Sequence, residues 1–496
     1  MEQPSLTAAD LELRPGRGRR SPWLREALAA EDGPQPLPSP SRDLSADIAI
    51  IGGGYTGLWT ALQLRERSPD LDVVVLEQDI CGGGPSGRNG GFVNAWWDEL
   101  DTLVELYGAE RALEAAREVS RSVRDIGAWC EANAVDAHFR QSGMLVVSTT
   151  PLHDDRPLGS VRMAAELGAG EELVALSPDE VATYCRSPRF RGGAFMREGA
   201  TVQPALLARG LRAVALACGV RIHEGTPVRP SLRTERTGIR LTADSPTGPV
   251  GIRARQVVLA ANAWSMAWRP LRRVALAWGS YMVRSEPLDD AQLRDIGWDG
   301  GESIYTARFN VEYLHLTRDR RIAIGSGGGM PGLDGRIGSV FTDDVASARR
   351  AALAFRTLFP QLRAVRLTDA WGGPIDVSGD HLPRFGSVPG MPVHFAVGFS
   401  GNGVAPSHLA GRILAALALG SDERITRLAP VGRPPGRLPP EPFRYIGARF
   451  MRGAIVRREA MEMAGRRAPW WLRQMTSLPR RLGYHLGPGP SSGGVE

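Results

Sequence analysis

Residues 46–61 read Ala46-Asp-Ile-Ala-Ile-Ile51-Gly52-Gly-Gly54-Tyr55-Thr56-Gly57-Leu-Trp-Thr-Ala61, and this stretch decides the fold. Ile48 to Ile51 is a short apolar run stopped by glycine, the pattern of a buried strand. Gly52 to Gly57 forms a turn, Leu58 to Arg67 a helix, and Val73 to Leu76 a second strand, so the segment opens a βαβ unit. In that setting G-x-G-x-x-G has a mechanism. Gly52 permits the tight turn, Gly54 lets the backbone approach a pyrophosphate, and Gly57 lets helix and sheet close together. Tyr55 and Thr56 occupy the same turn, where the free N–H groups of the helix start face phosphate charge. About twenty residues beyond Gly57, Glu77 stands at the end of the second strand, placed to accept ribose hydroxyls; its charge would repel a 2′-phosphate and disfavours NADP. In a chain with 59 glycines the competing reading is a bare tight turn, and the strand, helix and Glu77 in register argue against it.

Working outward, Cys81-Gly-Gly-Gly84-Pro-Ser86-Gly-Arg88-Asn89-Gly90-Gly91 is a second glycine loop. It suits the far side of a pyrophosphate and the neighbourhood of a flavin ring, which an NAD enzyme rarely needs. Far downstream, Val397-Gly-Phe-Ser-Gly401-Asn402-Gly403-Val404 is a strand-to-turn that opens a helical region at Leu409–Leu419. A helix N-terminus beside the pyrimidine edge of a flavin would stabilise the reduced anion.

Composition narrows the classes. The chain has 496 residues, 43% hydrophobic and 23% charged, enough for about two to three domains. Cys81, Cys130, Cys185 and Cys218 show no C-x-x-C spacing, which suggests neither zinc nor a disulfide framework and fits a reducing cytoplasm. All 60 basic residues are Arg, with no Lys, which excludes a Lys Schiff base. The net charge of +6 is interleaved with acid, as on a solvated surface, and does not point to nucleic acid. No apolar run approaches the ~18–20 residues that span a bilayer. Arg19-Arg20 runs into Ser21-Pro-Trp-Leu-Arg-Glu, which is charged where an export signal would be apolar.

The expected fold class is α/β: a Rossmann-like FAD-binding unit built from discontinuous segments, with an α+β substrate unit on an antiparallel sheet. Residues 1–45, including Pro34-Gln-Pro-Leu-Pro-Ser-Pro40, read as an extended lead-in. Segments 46–95, 200–265 and 366–425 are assigned to the cofactor unit, 96–199 and 266–365 to the substrate unit. Glu110–Asn133 and Pro204–Cys218 read as helices, 220–224 and 226–229 as strands, and 237–242, 250–253 and 256–260 as a meander. Segments 140–148 and 278–325 alternate as half-buried strands, with Tyr313 and His315 on one face. Residues 426–496 form a basic extension whose Arg444, Arg449, Arg452, Arg457, Arg458, Arg466 and Arg467 sit among Phe, Ile, Met and Trp. It reads as a helix packed on the body or, alternatively, as a peripheral membrane contact.

The 46–61 run, the Ser86–Phe92 loop, Val257-Val-Leu-Ala260-Ala261-Asn-Ala-Trp264 and Gly398–Val404, in this order, resemble the D-amino-acid-oxidase superfamily, over roughly residues 45–420. Within it the chain is most similar to the gamma-glutamylputrescine oxidase-like branch, alongside glycine and sarcosine oxidases. The resemblance implies elongated FAD with a substrate at the isoalloxazine face under an antiparallel sheet. It implies that Gly52, Gly54, Gly57 and Glu77 hold the ADP half, and that Gly84, Ser86, Arg88, Asn89 and Gly90 hold the pyrophosphate and ribityl region. Val228 matches the position whose backbone meets adenine, and Ala260 and Ala261 the strand end beside the cofactor. Gly401, Asn402, Gly403 and Val404 match the flavin pyrimidine edge. Trp371-Gly-Gly373-Pro-Ile-Asp376, with Asp380-His-Leu-Pro383, resembles the segment over the reactive zone. Two departures follow. Trp371 stands where monomeric sarcosine oxidases carry the Cys that binds flavin, which implies non-covalent FAD. The strand that carries their oxygen-activating Lys reads Arg321-Ile-Ala-Ile-Gly325, which leaves a dehydrogenase with another acceptor as an alternative to an oxidase.

The expected activity is hydride transfer from an amine or amino-acid C–N bond, giving an imine that water hydrolyses. The amine must be neutral, because an ammonium has no lone pair to expel hydride; the site must desolvate it and position its C–H. Tyr305, Arg308, His315 and Trp371 are the candidates facing that space. Arg308 reads as a clamp on a substrate carboxylate or as one more surface arginine, His315 as catalytic or as a satisfied core residue, and Trp371 as a cavity wall or as packing. Cys81 reads as a small buried filler. Three rivals remain: a flavin hydroxylase consuming NAD(P)H, a plain NAD dehydrogenase, and a non-catalytic flavoprotein subunit docking through its basic tail.

Overall fold

The computed structural model describes residues 5–16, 20–31, 36–433, 437–481 and 484. The opening strand spans Leu44–Ile51, and from Ile48 onward it is buried on both faces, as a parallel strand between two layers must be. It pairs in parallel with Val73–Leu76 on one side and Gly248–Leu259 on the other. Arg221–His223 and Val393–Val397 extend the parallel sheet at its two ends, and Arg384–Ser387 adds an antiparallel edge. On one face, Leu58 and Trp59 of the Tyr55–Arg67 helix share a core with Leu409 and Ile413 of the Val404–Ala418 helix. On the other face, the antiparallel ribbon Gly238–Ser245 and its neighbour Arg233–Glu235 build onto the same strands.

Two of the strand expectations in this region differ from the structure. Gly248–Leu259 is one continuous strand, not two. Its first half pairs with Gly238–Ser245 and its last residues with Val393–Val397, so the strand changes partner without breaking. Residues 226–229 form only an isolated bridge, Val228 to Ala243. Pro227 and Pro230 flank that bridge and remove the donors a ladder needs.

The second sheet has the order Leu367–Ser378, Ala275–Ser285, Ile322–Ser326, Glu312–Leu316, Ser303–Thr306, Met144–Val147, Gly193–Met196, Leu173–Leu176. Neighbours run antiparallel except Ser303–Thr306 with Met144–Val147. Leu367–Ser378, grouped from sequence with the cofactor segments, is therefore an edge strand of this sheet. The long ladder from Ala275↔Ser378 to Ser285↔Leu367 draws it there.

The described part of the N-terminal segment is not an extended lead-in. It contains helices Ala8–Glu12 and Pro22–Ala29. The second has a conventional start: Ser21 Oγ accepts from Leu24 N at 3.1 Å, Pro22 occupies the first turn, and Trp23, Leu24 and Ala27 make a buried stripe. Arg19, Pro34 and Gln35, on which the export and lead-in readings partly fell, lie outside the described residues. The C-terminal region forms two helices, Phe443–Met463 and Trp470–Arg481, where the sequence reading gave one. One side is tied to the body: Arg444 donates to Arg272 O at 2.8 Å, and Glu462 meets buried His153 Nε2 at 2.8 Å. The other side leaves Phe443, Phe450 and Trp470 exposed at 70%, 61% and 71%. Among the described residues no helix is long and apolar enough to cross a membrane.

Candidate cofactor and substrate site

The C-terminal ends of the parallel strands and one face of the second sheet enclose a cavity of about 510 Å³, within the range of small-molecule and cofactor sites. Its wall brings together segments far apart in sequence. Gly52, Gly54, Tyr55 and Thr56 come from the first turn, Glu77 from the second strand, and Gly84, Ser86, Arg88, Asn89 and Gly90 from the second loop. Val228, Ala260, Ala261 and Gly373 join them, as do Gly401, Asn402, Gly403 and Val404. Gly57 is not on the wall. It sits against the turn, where a Cβ would run into Gly52 O, so it sets how closely helix and strand approach. Gly52 has φ +112, and a Cβ there would lie 2.5 Å from Ala260 O; only glycine makes this corner.

Two helices, Tyr55–Arg67 and Val404–Ala418, begin on this wall with Gly54 and Gly403 as N-caps and no side-chain cap bond at either. Unlike Ser or Asp caps, these leave their N-terminal dipoles directed at the cavity. Ser86 Oγ accepts Tyr55 N at 2.9 Å and so fastens the second glycine loop to the first. Asn89 cross-braces that loop, donating to Pro85 O and Ser86 O and accepting Gly91 N at 2.8 Å. Arg88 donates to Gly83 O at 3.0 Å and Gly372 O at 3.2 Å. Glu77 accepts Gly53 N at 2.7 Å and Asp79 N at 2.9 Å, and burial pushes its carboxyl up to about 7. These features fit an elongated dinucleotide: two helix starts with glycine at the N-cap, a ribose-height carboxylate, and the Oδ1 atoms of Asn262 and Asn402, which line the cavity buried and without partners.

Asp376 was quoted in a motif but given no role from sequence. It accepts Gly398 N at 2.6 Å, Phe399 N at 3.2 Å and Asn262 Nδ2 at 2.7 Å, while its own carbonyl accepts Ser400 N at 2.8 Å. One fully buried carboxyl thus locks the Gly398–Gly403 turn and the Asn262–Ala267 turn to an edge strand of the other sheet, and burial raises it to about 7.

Of the four candidates for the reacting space, only Tyr305 lines the cavity. Its hydroxyl donates to Asp98 Oδ2 at 2.7 Å, and burial raises its pKa well above normal. Arg308 is not a free clamp: it pairs with Glu312 and lies 3.8 Å from Glu459, a tail residue that no local pattern connects to it. His315 stacks on Trp23 with centroids 5.9 Å apart, outside the cavity, and burial pushes it down to about 4. Trp371 donates Nε1 to Arg88 O at 2.8 Å and packs edge-on against Trp23 at 5.5 Å. It braces the loop from behind and forms no part of the wall. Sequence reasoning missed Asn94, Asp98 and Glu99, which line the cavity with Phe92, Phe309 and Tyr313. The available signal was the adjacent acid pair in Trp96-Trp-Asp-Glu99, directly after the second glycine loop.

Comparison with known proteins agrees with this geometry. The family model described as FAD dependent oxidoreductase (DAO) matches residues 47–417. The chain is 27% identical over 424 residues to gamma-glutamylputrescine oxidoreductase of Escherichia coli K12, covering 84% of this chain and 94% of that one. Its fold superposes on glycine oxidase from Geobacillus kaustophilus with a TM-score of 0.63 at 19% identity, covering 79% of this chain and 100% of that one. L-proline dehydrogenase from P. horikoshii gives a TM-score of 0.64 at 19% identity, with 80% and 100% covered.

Proposed function

The chain belongs to the DAO family of FAD dependent oxidoreductases, and from that membership we propose that it oxidises the C–N bond of an amine or amino acid to an imine that water hydrolyses. The observation that carries this reading is the single cavity on which four glycine-rich segments distant in sequence meet an aromatic sheet face. Bound FAD supplies the acceptor for the hydride leaving the carbon next to nitrogen. The protein's part is to hold and orient. Gly52, Gly54 and Glu77 take the ADP half, Ser86, Arg88, Asn89 and Gly90 the pyrophosphate and ribityl region, and Gly401, Asn402 and Gly403 the pyrimidine edge. The start of the Val404–Ala418 helix favours negative charge at that edge. Phe92, Phe309 and Tyr313 exclude water, so that the substrate amine is held neutral and its C–H is aimed.

The FAD is held without a covalent bond. Among the described residues no cysteine lines the cavity, and Cys81, the nearest in sequence to its loops, is fully buried. The cofactor unit is read as 46–95, 200–265 and 379–425, with Leu367–Ser378 given to the substrate sheet. The absence of Lys favours an electron acceptor other than oxygen. Exposed Phe443, Phe450 and Trp470 beside Arg449, Arg457 and Arg466 suit the tail to an anionic membrane surface. Co-sedimentation with anionic but not neutral vesicles is the expected result, and no sedimentation with either contradicts that contact.

The main test is anaerobic mixing of the purified holoprotein with a panel of amines and amino acids. Bleaching of the flavin band by at least one of them is expected, and slow peroxide formation on admitting air. No bleaching by any of them, or oxidation of NAD(P)H by the protein alone, overturns the reading.

A further inference from the structure

One end of the cavity has a chemical bias that the reaction alone does not require. Asp98 Oδ2 accepts the Tyr305 hydroxyl, but Asp98 Oδ1 is buried with no partner. Glu99 lines the same wall and forms no ion pair among the described residues. Asn94, only 6% exposed, presents a buried Oδ1 that also lacks a partner. The Asp98 and Glu99 carboxyls and Asn94 Oδ1 are therefore acceptors on one cavity wall, and the Tyr305 hydroxyl answers only one of their oxygens. Leaving buried acceptors unmatched is unfavourable, so the wall is built for a ligand that brings donors.

The cations that could answer them are engaged elsewhere. Arg88, the only guanidinium on the cavity wall among the described residues, donates to Gly83 O and Gly372 O. Arg308 is held by Glu312 and Glu459. Arg156 donates to Ala307 O at 2.8 Å and lies over the Phe309 ring. Among the described residues no arginine is left on this wall to receive a substrate carboxylate. An ammonium is the complement in kind, since it has three donors and no acceptor.

Resting on the proposed amine oxidation, we infer that the substrate carries a second, cationic amine, and that Asp98, Glu99 and Asn94 hold this ammonium while another nitrogen of the same molecule reacts. The carboxylates cannot be holding the reacting nitrogen. They stabilise a protonated amine, and only a neutral amine can release hydride. The site thus selects diamine-type chains over α-amino acids, by charge and not by a carboxylate clamp. Burial first, with Asp101 beside it, brings Asp98 to about 6, and burial first, then the Asp98 and Asp101 carboxyls, raises Glu99 above the usual carboxylate range. Tyr305 faces the Asp98 carboxyl from the sheet, while Ser160 donates only to its backbone carbonyl, and neither supplies a positive charge. Preference for a dication therefore strengthens as pH rises through about 6.

The test uses the FAD-loaded protein and three series of three to six carbons: α,ω-diamines, alkylamines, and ω-amino acids. Anaerobic flavin bleaching is followed at varied concentration. The best diamine is expected to half-saturate at least tenfold lower than the alkylamine of equal length, with ω-amino acids poorest. In Asp98→Asn and Glu99→Gln that ratio should fall towards one, with Glu99→Asp retaining most of it; flavin content reports that each variant is folded. Equal loss for diamines and alkylamines in Asp98→Asn would assign Asp98 to proton transfer and overturn the inference. So would ω-amino acids bleaching best, or a preference that survives both substitutions. If alkylamines or amino acids react as well as diamines, amine oxidation stands and the cation pocket falls; if nothing bleaches, both fall.

Discussion

Glu77 carries two demands that pull its proton in opposite directions. Its carboxylate is oriented by Gly53 N and Asp79 N, yet burial holds its pKa at about 7 against an ordinary 4.5. A carboxyl that keeps its proton to higher pH when folded stabilises the fold at low pH. That contribution is complete below about 4.5 and is lost as pH climbs through about 7. The melting temperature of the wild type relative to Glu77→Gln should therefore fall between about pH 5 and pH 8, and a difference independent of pH would show that Glu77 does not titrate there. At Gly57 the constraint is steric. Gly57→Ala drives a methyl into Gly52 O, and a loss of about 2–4 kcal/mol with reduced flavin content is expected in denaturant titration; a neutral substitution would contradict the turn geometry. Such backbone constraints were legible because they can be met only by glycine, so Gly52, Gly54 and the second loop stand out in the sequence. The roles of Arg308 and His315 could not be, because they depend on partners such as Glu459 and Trp23 that the chain supplies from its two ends.

Among the elements, the Pro22–Ala29 helix shows how a segment that reads as a lead-in supports a site it never touches. Trp23 stacks on His315 and meets Trp371 edge-on, Arg284 lies over its ring, and Trp23 Nε1 donates to Asn89 O at 3.2 Å. It therefore backs both the second glycine loop and the sheet. Trp23→Ala should cost about 3–5 kcal/mol and release flavin more readily, measured as the FAD dissociation rate; an unchanged rate would leave the helix as packing alone. The helix signal was present in Ser21-Pro22 and the Trp23, Leu24, Ala27 stripe, but the Arg, Pro and Ser around it hide so short a period. The opening βαβ unit was legible because its strands are apolar from Ile48 to Ile51 and from Val73 to Leu76, where a parallel strand between two layers has no solvent face to vary. Leu367–Ser378 was misplaced for a different reason. It lies next to cofactor motifs in sequence, while its ladder with Ala275–Ser285 is a long-range choice that no local pattern records.

Across the whole molecule, the tail reaches back to the reacting end. Glu459 accepts Asn310 N at 2.9 Å and Asn310 Nδ2 at 2.5 Å, and Asn310 lies between Phe309 and Val311, both on the cavity wall. Glu459→Gln weakens that anchor and removes one of the two carboxylates beside Arg308. An increase in KM equivalent to about 1–3 kcal/mol, with flavin content unchanged, is the expected result; equal losses in flavin and KM would mean that the tail only stabilises the fold. The central claim is broader: the segments beginning at Asp47, Gly82, Val257 and Gly398 form one cradle for one FAD. Titration of the deflavinated chain with FAD tests this most directly, following quenching of flavin fluorescence, alongside Gly52→Val. Saturation at one FAD per chain is predicted, with binding lost in the variant. Failure of the wild type to quench FAD, or equal binding by Gly52→Val, would contradict the account.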